Sequence, residues 1–381
     1  MLKKLTLHNF KSHRRTEFNF DDSRLQAIVG QNSSGKTSVL QSIYFLSQAF
    51  SSLHTYTFDS QNALKFIITK DQNNILVEGI GSWEDKHRDD WRLSHGFDYI
   101  QSETENLWVA KKSWNVDGVF ITEERWHLLN QETKTLAPPQ DLKFMVHLKL
   151  VLANLVKSAY SEAIVPEIAL DGSGLAPTLD YLRNENPERF QLIQQMLQQI
   201  VPGVRKVGVR RAKVKIDRQR SIEVDGKSIS YEENQEVTGQ EIVLDMNTGD
   251  RIPAHAISEG TMLTLGLLTV LMNPKQPNLV LLDDIEQGLH PKAQRELITV
   301  FKQIIQANPN LQIIFSTHSP YIIDELQPSQ VHVLSNSKSG FTHAKRLDEH
   351  PDAEWAKQTL TTGEFWNAEG EDWVVDGDVN D

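Results

Sequence analysis

The order of apolar and polar positions predicts strands and helices along most of the chain. Residues 2–10 alternate polar and apolar side chains, as a half-buried strand does. Residues 25–29 predict a second strand, and the apolar positions of residues 38–50 recur at helical spacing. A further strand is predicted over residues 75–83. The pattern of residues 85–135 predicts no definite architecture.

The middle of the chain is predicted to be helical and then rich in strands. Residues 139–201 favour helices that end at Pro202 and Gly203, a pair that stops a helix. Residues 205–220 are basic and alternate as an exposed strand would, and residues 227–249 favour hairpins. The helical part has two apolar stripes, which consist of Leu148, Leu152, Leu155 and Val156, and of Phe190, Ile193, Met196, Leu197 and Ile200.

The last third of the chain returns to alternating helices and strands. Residues 352–381 form an acidic tail that contains Trp355, Trp366 and Trp373. Helices and strands in alternation favour an α/β protein. The predicted elements are a helix over 257–272, a strand over 279–282, a helix over 291–307 and a strand over 312–316.

Composition narrows the class of protein. The 381 residues suffice for one large domain with an insertion or for two domains. No apolar run reaches the roughly 18 residues of a membrane helix, and the first residues are too polar for a signal peptide. The chain has no cysteine, so a cytoplasmic protein with no membrane partner is expected. The net charge of −12 argues against a uniform coat of nucleic acid, although a local basic face is compatible with it.

The segment GQNSSGKT, residues 30–37, lies between a predicted strand and a predicted helix. It satisfies the pattern G-x-x-x-x-G-K-[ST], whose glycines let the backbone approach a phosphate group. Lys36 would neutralise the β- and γ-phosphates, and the Thr37 hydroxyl would bind Mg²⁺. A chance glycine-rich turn is the alternative, which the flanking strand and helix disfavour. The predicted ATP-binding residues are Gly30, Gln31, Asn32, Ser33, Ser34, Gly35, Lys36, Thr37 and Ser38.

Two adjacent carboxylates follow the apolar run at residues 279–282. In P-loop NTPases an acidic residue at the end of another core strand holds Mg²⁺, and Asp283 is predicted to do so. Asp284 is then the candidate that polarises the attacking water. A solvated turn is the alternative, but the preceding apolar run indicates a strand buried on both faces.

Two further segments could contribute to the same site. His318 follows a predicted central strand, at the edge where open α/β sheets bind ligands. It is either structural or able to reach a γ-phosphate or the attacking water, and position alone does not decide between these. Ser258 and Gly260 open a predicted helix whose N-terminus could bind an anion, and a plain capped helix is the alternative.

These motifs, in this order, resemble the ATP-binding-cassette (ABC) ATPase heads of the SMC, RecF and OLD-nuclease group. LKKLTLHNFKSH is similar to the opening strand of that group, LDDIEQGLHPKAQ to its DEPExxLHP segment, and STHSPYIID to its switch-histidine strand. LDGSGLAPTLDYLRNENPERF, residues 170–190, looks like the helical insertion of its compact bacterial members. Compact stand-alone AAA-family ATPases of this kind occur in bacterial anti-phage defence systems.

The resemblance implies an α/β P-loop NTPase fold. It would have an ABC-ATPase head with a mixed central sheet, an antiparallel β subdomain and a short helical insertion. One bipartite domain is expected. Its predicted parts are an N-terminal lobe over residues 1–95, a mainly helical insertion over 96–215, a C-terminal lobe over 216–345 and an acidic tail over 346–381.

The resemblance also implies roles for individual residues. ATP and Mg²⁺ would be the cofactors, with Thr37 and Asp283 as metal ligands and with Asp284, Lys36 and the switch histidine His318 as catalytic residues. The signature motif, which contacts the γ-phosphate bound by the opposing subunit, would comprise Ser258, Glu259 and Gly260. The Q-loop glutamine of the group has two candidates, Gln61 and Gln101.

The expected partners follow from the same resemblance. The chain would form a homodimer around ATP and act with a separate effector, a nuclease or toxin in DNA repair or anti-phage defence. The insertion is too short for the coiled coil of SMC proteins, and too few residues follow His318 for the nuclease domain of OLD proteins. Asp284 stands where the group usually has glutamate, which favours slow hydrolysis.

Several alternatives remain open at this point. A nucleotide-gated scaffold, in which hydrolysis is incidental, competes with the ATP-driven switch or motor. A transporter subunit and a small-molecule kinase fit the motifs less well. The basic residues 205–220 could contact DNA or could protect a strand edge. The acidic tail could bind a partner protein or pack on the ATPase core.

Overall fold

One six-stranded sheet provides the strand ends on which most of the candidate residues lie. In the computed structural model its strands follow the order β15, β14, β3, β13, β12, β8. Five of them pair in parallel, and β15 is an antiparallel edge strand. The strands are β3 (Leu25–Gly30), β8 (Met145–Leu148), β12 (Leu279–Leu282), β13 (Gln312–Ser316), β14 (Val331–Asn336) and β15 (Thr342–Arg346).

The structure describes residues 1–47, 67–82, 90–101, 106–116, 119–122, 145–224, 227–274 and 277–375. Only the backbone is described for residues 100–101, 106–110, 116, 218–224 and 227–233. The chain divides into two units. The first comprises Met1–Leu148, Pro277–Glu286 and Leu297–Asp381, and the second comprises Lys149–Gln276 and Gln287–Glu296.

The mixed sheet of the first unit is buried because its central strands are mostly apolar. Every residue of β3, β12 and β13 is buried, as expected of parallel strands covered on both faces. Helix α1 (Lys36–Ser47) follows β3 and buries Val39, Leu40 and Ile43. The predicted bounds of β12 and β13 are confirmed, and the helix predicted over residues 38–50 begins two residues earlier.

A second sheet of the first unit is antiparallel. Its order is β2, β1, β4, β5, β6, β7. The buried side chain of Gln312 joins it to β13, because its Oε1 accepts the Leu2 N–H at 2.9 Å and its Nε2 donates to the Leu2 carbonyl at 2.8 Å. The strands are β1 (Leu2–Phe10), β2 (His13–Asn19), β4 (Asn74–Gly81), β5 (Trp91–Gln101), β6 (Asn106–Val116) and β7 (Val119–Thr122).

The prediction of a mainly helical segment over 96–215 is wrong for its first part. The described residues up to Leu148 form β5 to β8 instead of helices. Trp91, Leu93 and Phe97 are buried at alternate positions, a strand pattern that the polar residues between them obscure. Leu148 ends β8 and therefore does not belong to the helical stripe that was predicted for it.

The second unit combines short helices with a long two-stranded ribbon. The predicted apolar stripe of α4 is confirmed at Phe190, Ile193, Leu197 and Ile200, which are buried. Nearly all residues of helix α5 are buried, on every side of the helix. The helices are α2 (Leu152–Leu155), α3 (Leu175–Glu185), α4 (Pro187–Ile200), α5 (Glu259–Leu271) and the first residues of α6 (Pro291–Ala307).

The ribbon consists of β9 (Val204–Val224) and β10 (Lys227–Met246), and β11 (Arg251–Pro253) adds a third strand. Residues 227–249 were predicted to form hairpins. Residues 227–246 form one strand, because β9 pairs with them along their whole length, and only the turn to β11 at 247–250 makes a further hairpin. In the middle of β9, Lys213 and Lys215 are exposed, whereas Val214 and Ile216 are partly buried. The alternation predicted for this strand is therefore confirmed.

The described part of the acidic tail packs on the first unit. It contains α8 (Ala353–Thr359) and α9 (Thr362–Glu369), which follow the short helix α7 (Pro320–Ile323). The Gly363 N–H donates to Asp324 Oδ1 at 3.0 Å, and Trp366 is buried. Of the two alternatives for the tail, packing on the ATPase core therefore holds up to residue 375. No helix in the described ranges has both the length and the apolar character to cross a membrane.

Candidate nucleotide-binding site

The glycine-rich loop connects β3 to α1 with a backbone that side chains would disturb. Gly30 and Gly35 have φ angles of 145° and 98°, in the region that favours glycine. A Cβ at Gly30 would lie 2.4 Å from the Leu334 carbonyl oxygen, and one at Gly35 would lie 2.7 Å from His13 Nε2. The loop therefore needs both glycines. The first backbone N–H groups of α1 have no acceptor within the helix, and they lie next to this loop.

Lys36 is buried at the first position of α1. Its Nζ donates to the loop's own carbonyl oxygens, at 3.0 Å from Gly30 and 2.8 Å from Gln31. Burial lowers the pKa of Lys36, and the negative charges of Asp284 and Asp283 oppose this shift. The ammonium group is thus held inside the loop, where an incoming phosphate would exchange with the two carbonyl oxygens.

Thr37 and Asp283 meet although 246 residues separate them in the chain. Thr37 Oγ1 donates to Asp283 Oδ2 at 2.8 Å. The contact arises because β3 and β12 flank β13 and run parallel to it, so that all three strands end at the same edge of the sheet. The Ser316 hydroxyl, at the end of β13, donates to the other oxygen of Asp283.

Asp284 occupies an unusual backbone conformation next to this contact. Its φ is 47°, in the left-handed region that non-glycine residues rarely adopt. The Asp284 N–H donates to Ser316 Oγ at 2.9 Å, which fixes the turn, and its side chain is exposed. The turn therefore places the exposed Asp284 carboxylate at the edge of the sheet, next to Asp283.

His318 is exposed two residues after the end of β13. Its backbone N–H donates to Glu286 Oε1 at 2.7 Å, and the neighbouring Thr317 hydroxyl donates to Glu286 Oε2 at 2.7 Å. One carboxylate thus bridges the segment after β12 and the segment after β13. Glu286 thus accepts two hydrogen bonds from the turn that carries His318.

Sequence reasoning did not identify Ser316, Glu286 and Glu371 as part of this group. Glu371 accepts a long hydrogen bond from Gln31 Nε2 at 3.4 Å and raises the pKa of Lys36 slightly. The DEPE-like spacing of residues 283–286 could have pointed to Glu286. Ser316 is the first residue of the STHSPYIID segment, but a role was predicted there for His318 alone. No local signal marks Glu371, which lies 340 residues from Gln31.

The predicted signature residues lie in the second unit. Ser258 is the N-cap of α5, but its hydroxyl bonds with Thr261 Oγ1 at 2.7 Å and caps no helical N–H. A Cβ at Gly260 would lie 2.2 Å from the carbonyl oxygen of Gly288, whose φ is 69°. Glu259 Oε1 accepts from Gln287 Nε2 at 3.2 Å. The start of α5 is therefore packed, backbone against backbone, on the GLHP turn.

The two Q-loop candidates stay predictions. Gln61 lies outside the described residues. Gln101 is the last residue of β5 in the antiparallel sheet, and its side chain is likewise outside the description.

The residues at the sheet edge fit MgATP by their chemistry. Thr37 offers a hydroxyl and Asp283 a carboxylate, and oxygen ligands of this kind suit Mg²⁺. The loop offers glycine backbone, helical N–H groups and a buried lysine to phosphates. These are the residues that would hold the metal and the triphosphate.

Comparison with known proteins identifies the family. The family described as "AAA domain, putative AbiEii toxin, Type IV TA system" matches residues 25–324. The retron Vc95 probable ATPase of Vibrio cholerae is 22% identical over 386 residues, which cover 88% of this chain and 73% of that protein. The DNA replication and repair protein RecF of Francisella tularensis subsp. mediasiatica is 44% identical over 69 residues, only 18% of this chain and 20% of RecF.

Solved structures agree in fold. An Smc head bound to the C-terminal winged-helix domain of ScpA has a TM-score of 0.53 at 17% identity, with 91% of this chain and 98% of that chain covered. The Smc head with an extended coiled coil, bound to the C-terminal domain of ScpA from Pyrococcus furiosus, gives 0.53 at 14% identity, with 94% and 99% covered. The predicted fold class is confirmed. This chain belongs to that AAA family and has the P-loop fold of SMC head domains.

Proposed function

We propose that the chain binds MgATP at the glycine-rich loop and hydrolyses it slowly as a homodimeric switch for a separate effector. The observation that carries this proposal is the 2.8 Å contact between Thr37 Oγ1 and Asp283 Oδ2. A hydroxyl after the loop lysine and a carboxylate after a neighbouring strand are the two protein ligands that P-loop NTPases use for Mg²⁺. When bound, the metal would neutralise charge that develops on the phosphates.

Three further residues have separate proposed roles in ATP hydrolysis. Lys36 Nζ now donates to two loop carbonyl oxygens and would donate instead to β- and γ-phosphate oxygens when ATP binds. Its positive charge would then stabilise the transition state. Asp284, whose exposed carboxylate follows Asp283, would orient the attacking water. His318, positioned through Glu286, would hydrogen-bond the γ-phosphate or that water. Asp284 is shorter than the usual glutamate by one methylene, and misplacement by about 1 Å can cost roughly a hundredfold in rate.

Dimerisation would complete the site. Ser258 and Glu259 are exposed at the N-terminus of α5, where unsatisfied N–H groups attract anions. In the dimer, this helix start would contact the γ-phosphate held by the loop of the other copy. ATP would then stabilise the closed dimer through contacts that only the closed state makes, and hydrolysis would remove them.

The effector is proposed to be a separate nuclease or toxin in DNA repair or defence. The similarity to a retron ATPase and membership of a family named for a putative AbiEii toxin support a defence setting. The two Smc heads of similar fold are each bound to a domain of ScpA. A binding partner on a separate chain is therefore compatible with this fold.

The test compares wild type with Lys36→Ala and Asp284→Asn for ATP hydrolysis and for mass in solution by light scattering. Lys36→Ala should lose ATP binding and remain monomeric with ATP. Asp284→Asn should bind ATP, hydrolyse at most a few per cent as fast, and accumulate as a dimer. An Asp284→Asn chain that hydrolyses ATP at the wild-type rate contradicts the assignment. Assembly on ATP with no measurable wild-type turnover would instead support the nucleotide-gated scaffold.

A further inference from the structure

A polar cavity of about 570 Å³ lies in the second unit, between the last turns of α3 and the ribbon of β9 and β10. Three arginines and one aspartate are its only charged lining residues among those described, so the lining carries an excess of positive charge. The lining residues are Asp180, Arg183, Asn184, Val209, Arg210, Arg211, Thr238, Gly239 and Gln240. None of them belongs to the proposed ATP site, so a different ligand must be considered.

Two of the arginines are held in place by neighbours. Arg183 Nη2 donates to Asp180 Oδ1 at 2.6 Å, and its Nη1 donates to the Val209 carbonyl oxygen at 3.3 Å. Arg210 forms an ion pair with Glu241 at 2.9 Å. Each of these guanidinium groups therefore already has a carboxylate partner, which offsets its charge.

Arg211 differs from the other two arginines. It is exposed, and no carboxylate within the described ranges lies at ion-pair distance from it. In the register of the ribbon its partner is Gln240, a neutral residue, whereas Arg210 stands opposite Glu241 and Lys215 opposite Glu236. A cation without a counterion suits an anion, and an arginine fork matches phosphate oxygens.

The cross-strand partner of Arg211 offers an acceptor. Gln240 Nε2 donates to Asp180 Oδ2 at 3.5 Å, but the buried Gln240 Oε1 has no hydrogen-bond partner among the described residues. The backbone of Gln240 is fixed by two hydrogen bonds with Ala159, at 2.8 and 2.9 Å. A buried acceptor without a donor is unfavourable, so a ligand with an N–H or O–H group would stabilise it.

Protection of the strand edge is the simpler explanation of the basic residues in β9. It requires charged side chains along an edge, but neither a cavity beneath a helix nor an unpaired acceptor within it. The cavity lies against the face of the ribbon, because α3 contributes Asp180, Arg183 and Asn184 to it. Edge protection therefore does not account for this group.

We propose that the cavity binds a phosphorylated ligand of nucleotide size. Arg211 engages the phosphate, because Asp180 and Glu241 offset the charges of Arg183 and Arg210. Gln240 Oε1 accepts from a base or sugar group. A free nucleotide and one nucleotide of a nucleic-acid strand share this chemistry. The cavity volume lies within the roughly 300–1,000 Å³ of small-molecule sites. This site does not depend on the proposed ATPase cycle.

The experiment uses the full chain with Lys36→Ala as background, which removes the contribution of the glycine-rich loop. Binding of 5′-AMP is measured by calorimetry, and binding of a fluorescein-labelled twelve-residue oligothymidylate by anisotropy, both without Mg²⁺. Arg211→Ala should raise the dissociation constant about tenfold or more, because a charge-assisted bond is lost. Thr238→Glu, which places a carboxylate in the cavity, should also weaken binding strongly. Arg205→Ala, an exposed arginine of β9 outside the cavity, is the matched control and should bind like the parent.

Saturable binding of AMP that both cavity variants weaken supports a free-nucleotide site. Much tighter binding of the oligonucleotide, displaced by AMP and weakened by the same variants, supports a strand. Binding of neither probe overturns the proposal, and so does an equal loss in Arg205→Ala. If Arg211→Ala lowers the melting temperature, Thr238→Glu decides, since it leaves all three arginines in place. A wild-type dissociation constant in a folded Thr238→Glu chain also overturns the proposal.

Discussion

Replacing Glu286 tests whether one carboxylate positions the turn that carries His318. Glu286 accepts from Thr317 Oγ1 and from the His318 N–H, both at 2.7 Å, and it is not among the predicted metal or phosphate ligands. Glu286→Ala removes both acceptors at once. We expect kcat for ATP hydrolysis to fall while KM changes little, because the glycine-rich loop and Asp283 keep their own contacts.

The size of the effect follows from the two bonds. Hydrogen bonds to charged groups contribute about 1.5–3 kcal/mol each when buried. Glu286 is only partly buried and His318 is exposed, so water replaces part of what is lost. We therefore take about 2 kcal/mol for the pair, which corresponds to roughly a thirtyfold decrease in kcat if the turn must be ordered for catalysis.

The assay is steady-state ATP hydrolysis over a range of ATP concentrations. Glu286→Gln keeps one acceptor oxygen and should give an intermediate kcat. Glu354→Ala is the control, since Glu354 is an exposed carboxylate of the same unit that only pairs with Lys357 at 2.6 Å. It should match wild type within error.

The result that would refute this reasoning is a folded Glu286→Ala chain with the wild-type kcat. A rise in KM at constant kcat would also contradict it, because Glu286 would then act on ATP binding rather than on the His318 turn. Thermal unfolding followed by circular dichroism shows whether each variant is folded. If Glu286→Ala is not, the intermediate kcat of Glu286→Gln becomes the deciding measurement.

Three further predictions concern other contacts. Gly260→Ala places a methyl group 2.2 Å from the Gly288 carbonyl oxygen, so it should lower the free energy of unfolding by about 1–3 kcal/mol in denaturant titrations. Gly203→Ala is the control and should leave this free energy unchanged, because its methyl group meets only Met246 Cε, at 3.5 Å. Thr37→Val should abolish Mg²⁺-dependent ATP hydrolysis while leaving the melting temperature within a few degrees, and Thr37→Ser should retain activity. Desolvation lowers the pKa of His13 to about 4 and that of His332 to about 3, from the ordinary 6.5. The unfolded chain therefore binds more protons than the folded chain below pH 6.5. The free energy of unfolding should fall by about 2 kcal/mol per histidine between neutral pH and pH 5. His332→Gln should make the free energy of unfolding depend less steeply on pH.

Much of the fold could be predicted because long apolar runs and glycine motifs are local signals. The strand at 279–282, the helix at 291–307 and the strand at 312–316 have their predicted bounds, since each combines a strong pattern with clear ends. β8 was missed because four residues are too few to distinguish a strand from a helix segment. Residues 227–249 were predicted to form hairpins because polar side chains on both strands of the ribbon hide a pairing of about twenty residues.

The candidate site was predictable where a sequence motif includes its residues. It was not predictable where residues far apart in the sequence meet only in the folded chain. Lys36, Thr37 and Asp283 were predicted from spacing, and the latter two are in contact. Ser316 and Glu286 act on Asp283, Thr317 and His318 through hydrogen bonds across neighbouring strands, which no single segment of sequence reveals. The charge of Arg211 is visible in the sequence, but the absence of an acid opposite it depends on the register with Gln240.

The approach of Gly260 to Gly288 has a mechanical consequence. A Cβ on Gly288 would lie 2.8 Å from the Gly260 nitrogen, so the two backbones approach more closely than a side chain on either residue would allow. A push that moves the start of α5 towards the GLHP turn, whether from a phosphate or from a partner protein, therefore acts on that turn directly, without a side chain in between.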